Sequence, residues 1–310
     1  MQPCMPESGM DTRADDSIIK SVVGDYSSPS AILHFAGDAG VRIVGERRGN
    51  SDAPSVLLLH GGGQTRHAWA GAAERVARAG FCAITLDMRG HGDSDWSQSG
   101  DYSLDAMSAD LQCVVDQVGG TPALVGASMG GIAAMIAVGE GRVPAASKLV
   151  LVDIAPRVER AGVQRIIAFM GARPDGFASL EEVRDAIAAY NPHRPPPKDL
   201  GGLKKNLRQG EDGRYRWHWD PRFLGEAARR ESGGEFPDLE RRLAAARGVR
   251  IPTLLVRGAG SDVVSPEGAR ELQELIPHAR AVDIADAGHM VAGDRNDVFA
   301  DAVLGFLHDS

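Results

Sequence analysis

Short runs of consecutive apolar residues recur along the chain: "SVLLLH", "CAITLD", "ALVGAS", "KLVLVD" and "TLLVRG". Runs of this length without polar interruption are what strands buried on both faces require. Between them the pattern changes. In "TRHAWAGAAERVARAG", "SLDAMSADLQCVVDQV" and "MGGIAAMIAVGEG" the texture is helical. Strand alternating with helix predicts an α/β fold built on a mostly parallel, doubly wound sheet. Ahead of the first buried run, "AILHFAG" and "VRIVGERRG" are separated by Gly-Asp-Ala-Gly, which predicts a β-hairpin. Behind the last one, a helix opened by Ser265-Pro266, a strand in "ARAVDIADAGH" and a helix near Val298 to Leu307 complete the pattern.

The alternation breaks between Pro156 and Arg250. Helical patches such as "RIIAFM" and a capping-box start from Ser179 to Glu182 stand beside "NPHRPPPKDL" and "RYRWHWDPRF". Eight of the chain's 16 aromatic residues fall in this stretch, Trp217 and Trp219 among them. A helical cap with an apolar underside explains that concentration better than a linker does. The expected organisation is therefore a flexible arm over residues 1–28, a core over 29–155 and 251–310, and a helical cap over 156–250.

Composition narrows the partners. With 43% hydrophobic residues in 310, the chain can bury a full core. Its formal charge of -8 offers no overall attraction to nucleic acid. No apolar run approaches the ~20 residues of a membrane span, and the N-terminus lacks the basic and apolar regions of a signal peptide. Cys4, Cys82 and Cys113 have no C-x-x-C spacing. That suits a reducing compartment and leaves zinc without a thiolate framework, so a cytoplasmic protein is expected.

The candidate chemistry lies in "LVGASMGG". Ser128 follows a buried run and precedes a helical one, so it occupies a sharp strand-to-helix turn, flanked by the small residues Gly126 and Gly130. A serine hydroxyl needs a base to take its proton and an acid to orient that base. Both follow in order: Asp262 in "SDVVSPEG" and His289 in "DAGHM", each just past a strand's carboxyl end. Asp153, in "VLVDIAP", also ends a strand and is the alternative acid.

These motifs, with "LLLHGGGQTRHAW" and "LDMRGHGDSD", make the chain resemble an α/β-hydrolase from about Ala31 to Leu307. It is similar to the capped branch that includes esterases, enol-lactonases, perhydrolases and epoxide hydrolases. The resemblance implies Ser128 as nucleophile, His289 as general base and acid, Asp262 as the orienting acid, and the backbone N–H groups of Gly62 and Met129 as the oxyanion hole. Epoxide hydrolases and haloalkane dehalogenases carry aspartate where this chain has Ser128, which disfavours carboxylate attack on an epoxide or alkyl halide.

The expected activity is cleavage of a small-molecule carboxylic ester or lactone through an acyl-enzyme, with no cofactor and no metal. The alternatives are a perhydrolase or cofactor-free haloperoxidase, and a slow-turnover ligand sensor. His60 and His91 are expected to organise loops beside the site, and "HGDSD" to be turn chemistry rather than a metal site. Trp217, Trp219 and Phe169 are the candidate substrate contacts from the cap.

Overall fold

A computed structural model describes residues 30–192, 194, 199–225, 238–294 and 296–309. The arm expected over residues 1–28, with Cys4, lies outside the described residues. So does residue 29.

The apolar runs form the strands they predict, and two short strands not predicted, Leu207–Gln209 and Tyr215–Trp217, appear within the segment expected to be a helical cap. In chain order the strands are β1 (Ser30–Ala36), β2 (Arg42–Arg48), β3 (Ser55–Leu59), β4 (Cys82–Leu86), β5 (Ala123–Ala127), β6 (Lys148–Val152), β7 (Leu207–Gln209), β8 (Tyr215–Trp217), β9 (Thr253–Gly258) and β10 (Arg280–Ile284). Eight of them build one sheet in the order β1-β2-β4-β3-β5-β6-β9-β10. β1 and β2 form the expected antiparallel hairpin, β2 joins β4 antiparallel, and the remaining pairs are parallel.

Alternate side chains of the central strands enter opposite cores, which is why their sequences are continuously apolar. Leu57, Leu59, Leu124, Leu149 and Leu151 face one cluster, whereas Val56, Leu58, Val125, Val150 and Val152 face the other. Each such fully buried side chain contributes about 1.5–3 kcal/mol relative to exposure.

The longer helices among the described residues are α1 (Ala70–Arg78), α2 (Leu104–Val118), α3 (Ser128–Gly139), α4 (Arg160–Gly171), α5 (Leu180–Tyr190), α6 (Leu239–Gly248), α7 (Pro266–Leu275) and α8 (Asn296–His308). Helices α2, α3 and α7 cover the first face through residues such as Met107, Leu111, Met135 and Leu272. On the second face, α1 and α8 pack through Val76, Phe299, Val303 and Phe306. The starts are capped as the sequence requires. Ser103 and Ser265 accept from the N–H groups of Ala106 and Gly268, and Pro266 takes the first turn of α7. In the box before α5, Ser179 Oγ accepts from Glu182 N–H while the Glu182 carboxylate accepts from Ala178 N–H at 2.9 Å.

Between β6 and β9 the chain carries α4, α5, the antiparallel pair β7–β8 and α6. Phe177, Val183 and Leu203 form a separate small core there, with Trp217 packed against it. Helix α6 packs on α3: Ala245 joins Ile136 and Leu104, and the Gly139 and Ala245 backbones lie too close for a side chain between them. No helix among the described residues is long and apolar enough to cross a membrane.

Candidate active site

The site assembles at the carboxyl ends of β3, β5, β6, β9 and β10. Ser128 sits where β5 turns into α3, at φ 46°. A non-glycine residue in the left-handed region is uncommon and strained. The turn closes only because its neighbours lack side chains. A Cβ on Gly126 would lie 2.6 Å from Gly131 Cα, and one on Gly130 would lie 2.7 Å from the carbonyl oxygens of Leu59 and His60. The first N–H groups of α3, Met129 among them, have no partner within the helix.

Strand register determines which acid meets the histidine. Ala127 pairs with Val152, so Ser128 and Asp153 leave adjacent strands side by side. Asp153 is fully buried and also adopts a positive φ, 47°. Val152 in turn pairs with Val256, which brings the end of β9 against the Asp153 carboxylate. Gly258 N–H donates to Oδ1 at 2.9 Å and Ser261 Oγ donates to Oδ2 at 2.5 Å. Ser261 Oγ itself accepts from the N–H groups of Val263 and Val264. His289 reaches the same carboxylate, Nδ1 to Asp153 Oδ2, at 2.7 Å. Its loop is tied down by Ala259 N–H to Ile284 O and Gly260 N–H to Ala287 O, both 2.9 Å. A carboxylate can only accept, so Nδ1 carries the hydrogen and Nε2 is left as the basic nitrogen.

This corrects the expected acid. Asp262, one residue beyond Ser261, is 40% exposed and pairs with Arg165 of α4 at 2.8 Å. The carboxylate at His289 is that of Asp153.

Ser128 and His289 line one cavity of about 630 Å3. Gly62 lines it from the loop after β3. Phe169, Trp217 and Trp219 line it from the segment between β6 and β9, and Tyr190, which sequence reasoning missed, joins them. The aromatics hold one another: Trp217 stacks on Trp219 at 5.0 Å, and Phe169 stacks on Tyr190 at 4.2 Å. Gln64 also went unnoticed in the sequence. Its Oε1 accepts Gly61 N–H at 3.0 Å, and its amide contacts Met290 Sδ, next to His289.

The loop carrying Gly62 rests on buried imidazoles, as expected of His60 and His91. His60 donates from Nδ1 to Gly61 O at 2.7 Å and accepts Met88 N–H at Nε2. His91 accepts Gly63 N–H at Nε2 and donates to Arg89 O. Each nitrogen that accepts an N–H must be unprotonated, so both rings are neutral. Burial favours the same form, pushing His60 down to about 4 and His91 to about 3. His218 accepts Gly92 N–H at 2.7 Å and is lowered well below its ordinary value by the same burial. Phe223 lies edge-on to His91 at 5.0 Å and approaches the Cβ direction of Gly62.

In "HGDSD" the polar groups tie turns together. Asp87 accepts from Arg66 N–H at 2.6 Å and Asp93 N–H at 3.0 Å, and Ser94 Oγ bridges Asp87 O and Val44 N–H.

A family model for the alpha/beta hydrolase fold matches residues 54–295. Esterase Rv0045c of Mycobacterium tuberculosis is 31% identical over 269 residues, spanning 84% of this chain and 85% of that protein. The mouse sn-1-specific diacylglycerol lipase ABHD11 is 32% identical over 271 residues, spanning 84% and 82%. Among solved structures, E-2-(acetamidomethylene)succinate hydrolase superposes with a TM-score of 0.78 at 22% identity, covering 91% of this chain and 100% of that one. A structure of Rv0045c superposes with a TM-score of 0.71 at 27% identity, covering 94% and 96%.

Proposed function

The chain belongs to the α/β-hydrolase family and is an ester-acting hydrolase, and on that premise we propose that it cleaves a carboxylic ester or lactone through an acyl-enzyme on Ser128. The observation that carries this reading is the hydrogen bond from His289 to the buried Asp153, beside a cavity that also holds Ser128.

His289 Nε2 takes the Ser128 proton as Oγ attacks the carbonyl carbon. Asp153 stabilises the imidazolium that forms and fixes the ring's tautomer. The developing oxyanion is held by the N–H groups of Met129, at the start of α3, and Gly62. Collapse of the tetrahedral intermediate passes the proton from His289 to the leaving oxygen. Water, deprotonated by the same nitrogen, then releases the acid and restores Ser128. The segment 156–250 acts as a cap, and its aromatic side chains take up the apolar part of the substrate.

A fluorophosphonate is expected to inactivate the protein with a single adduct at Ser128, located by peptide mass spectrometry. An adduct on another residue, or none with activity retained, would overturn the nucleophile.

The cap assignment makes its own prediction. Trp217→Ala is expected to change kcat/KM for bulky esters by about 1–3 kcal/mol while acetate esters respond less. Thermal melts recorded alongside separate lost contacts from a loosened cap. Equal losses for both substrate sizes at unchanged Tm would mean that Trp217 positions the reacting groups instead.

A further inference from the structure

A second cavity, of about 730 Å3, adjoins the catalytic one, and the two share His67 and Lys205 in their walls. Its chemistry is different. The catalytic cavity is walled largely by aromatic and aliphatic side chains, whereas this one is faced by Arg42, Arg66, Lys204, Lys205 and Arg208, against the two carboxylates of Asp93 and Asp95. Ion pairs account for part of that charge. Arg42 pairs with Asp95 at 3.0 Å, and Arg66 pairs with Asp93 at 2.7 Å and with the buried Asp87. Among the described residues, Lys204, Lys205 and Arg208 have no acidic partner. Three unneutralised cations thus converge on one basin of a chain whose net charge is -8.

Their placement is built into the fold. Lys204 and Lys205 follow Leu203, which is buried in the small core between β6 and β9 and so anchors the turn Gly201–Asn206. Arg208 is held by a 2.9 Å hydrogen bond to Gly92 O and lies over the Trp96 ring at 4.8 Å. His67 is kept towards its neutral form by burial and by the charge of Arg66, which leaves it able to hydrogen-bond at the boundary between the cavities.

We propose that this cavity is a subsite for an anionic group of the substrate, a carboxylate or phosphate carried away from the scissile carbonyl and reaching the cations past Lys205 and His67. The proposal rests on the Ser128 reading above. A remote anion held this way supplies binding energy that the non-reacting part of the substrate can use to orient the ester. Free phosphate presents the same chemistry, and the experiment separates the two sources.

The test uses p-nitrophenyl monoesters of dicarboxylic acids of increasing length, each paired with the neutral ester of matched length. In the intact protein the charged member is expected to gain in kcat/KM once its chain is long enough, and to lose that gain with added salt. In Lys204→Gln/Lys205→Gln the charged-to-neutral ratio is expected to fall about tenfold, and Lys204→Arg/Lys205→Arg is expected to restore it. A ratio unchanged at every length, in a variant with the same circular dichroism and Tm, would overturn the subsite. Inorganic phosphate that raises Tm through these lysines without altering the ratio would also overturn it, because the basin would then hold a separate anion. Fluorophosphonate labelling of Ser128 keeps the two claims apart. Labelling with an unchanged ratio defeats the subsite alone, and failure to label defeats the mechanism beneath it.

Discussion

Asp153→Asn is expected to lower kcat by about 10^4, and Asp262→Asn by no more than a few-fold. Asp153 is fully buried, and its Oδ2 is 2.7 Å from His289 Nδ1. An asparagine can turn its NH2 group towards the ring, which then accepts at Nδ1 and carries its hydrogen on Nε2, the nitrogen that takes the serine proton in the proposed mechanism. It also removes the negative charge that stabilises the imidazolium. Asp262 has neither role. Its ion pair with Arg165 is about half exposed on both sides, and such pairs contribute roughly 0–1 kcal/mol. Single-turnover kinetics on both variants, with matching melts, would decide the matter. A collapse in Asp262→Asn with near-normal turnover in Asp153→Asn would return the acid to the later loop.

The confusion between those two carboxylates marks the limit of what the sequence carries. Apolar runs specify strands because each central strand is covered on both faces, and glycines around Ser128 specify the elbow because no Cβ fits there. Both are local signals. The acid is chosen by register, with Val152 lying between Ala127 and Val256, and pairing across three strands leaves no local trace. Asp262 stands one residue beyond the position that reaches inward. Ser261 occupies that position, and its hydroxyl supports Asp153 rather than replacing it. The positive φ of Asp153, which aims its carboxylate, was equally hidden. Trp217 and Trp219, which their size marks in the sequence, line the cavity. Tyr190 and Gln64 owe their positions to packing against Phe169 of α4 and to the turn after β3.

The stability of the fold is expected to fall steeply as pH drops from about 6.5 towards 4. The cause is the imidazole pair under the Gly61–Gly63 loop. In the unfolded chain His60 and His91 take up protons below about pH 6.5. In the folded chain burial holds them neutral until about pH 4 and about pH 3. Between those limits the unfolded state binds more protons, so each histidine removes roughly 1.4 kcal/mol per pH unit as the solution is acidified. Across the window the pair removes several kcal/mol, a large share of the ~5–15 kcal/mol that a folded domain has. His218, depressed in the same direction, adds to the slope. Urea unfolding at pH 7, 6 and 5 measures it directly, with an expected uptake of two to three protons per molecule on unfolding, approached as pH falls to 5. His91→Gln removes one titrating ring while keeping an acceptor that can reach Gly63 N–H, so it should lower that uptake by about one proton even if it weakens the fold at pH 7. An uptake near zero in the intact protein, or one that His91→Gln leaves unchanged, would mean that the buried imidazoles do not control the acid limit of the fold.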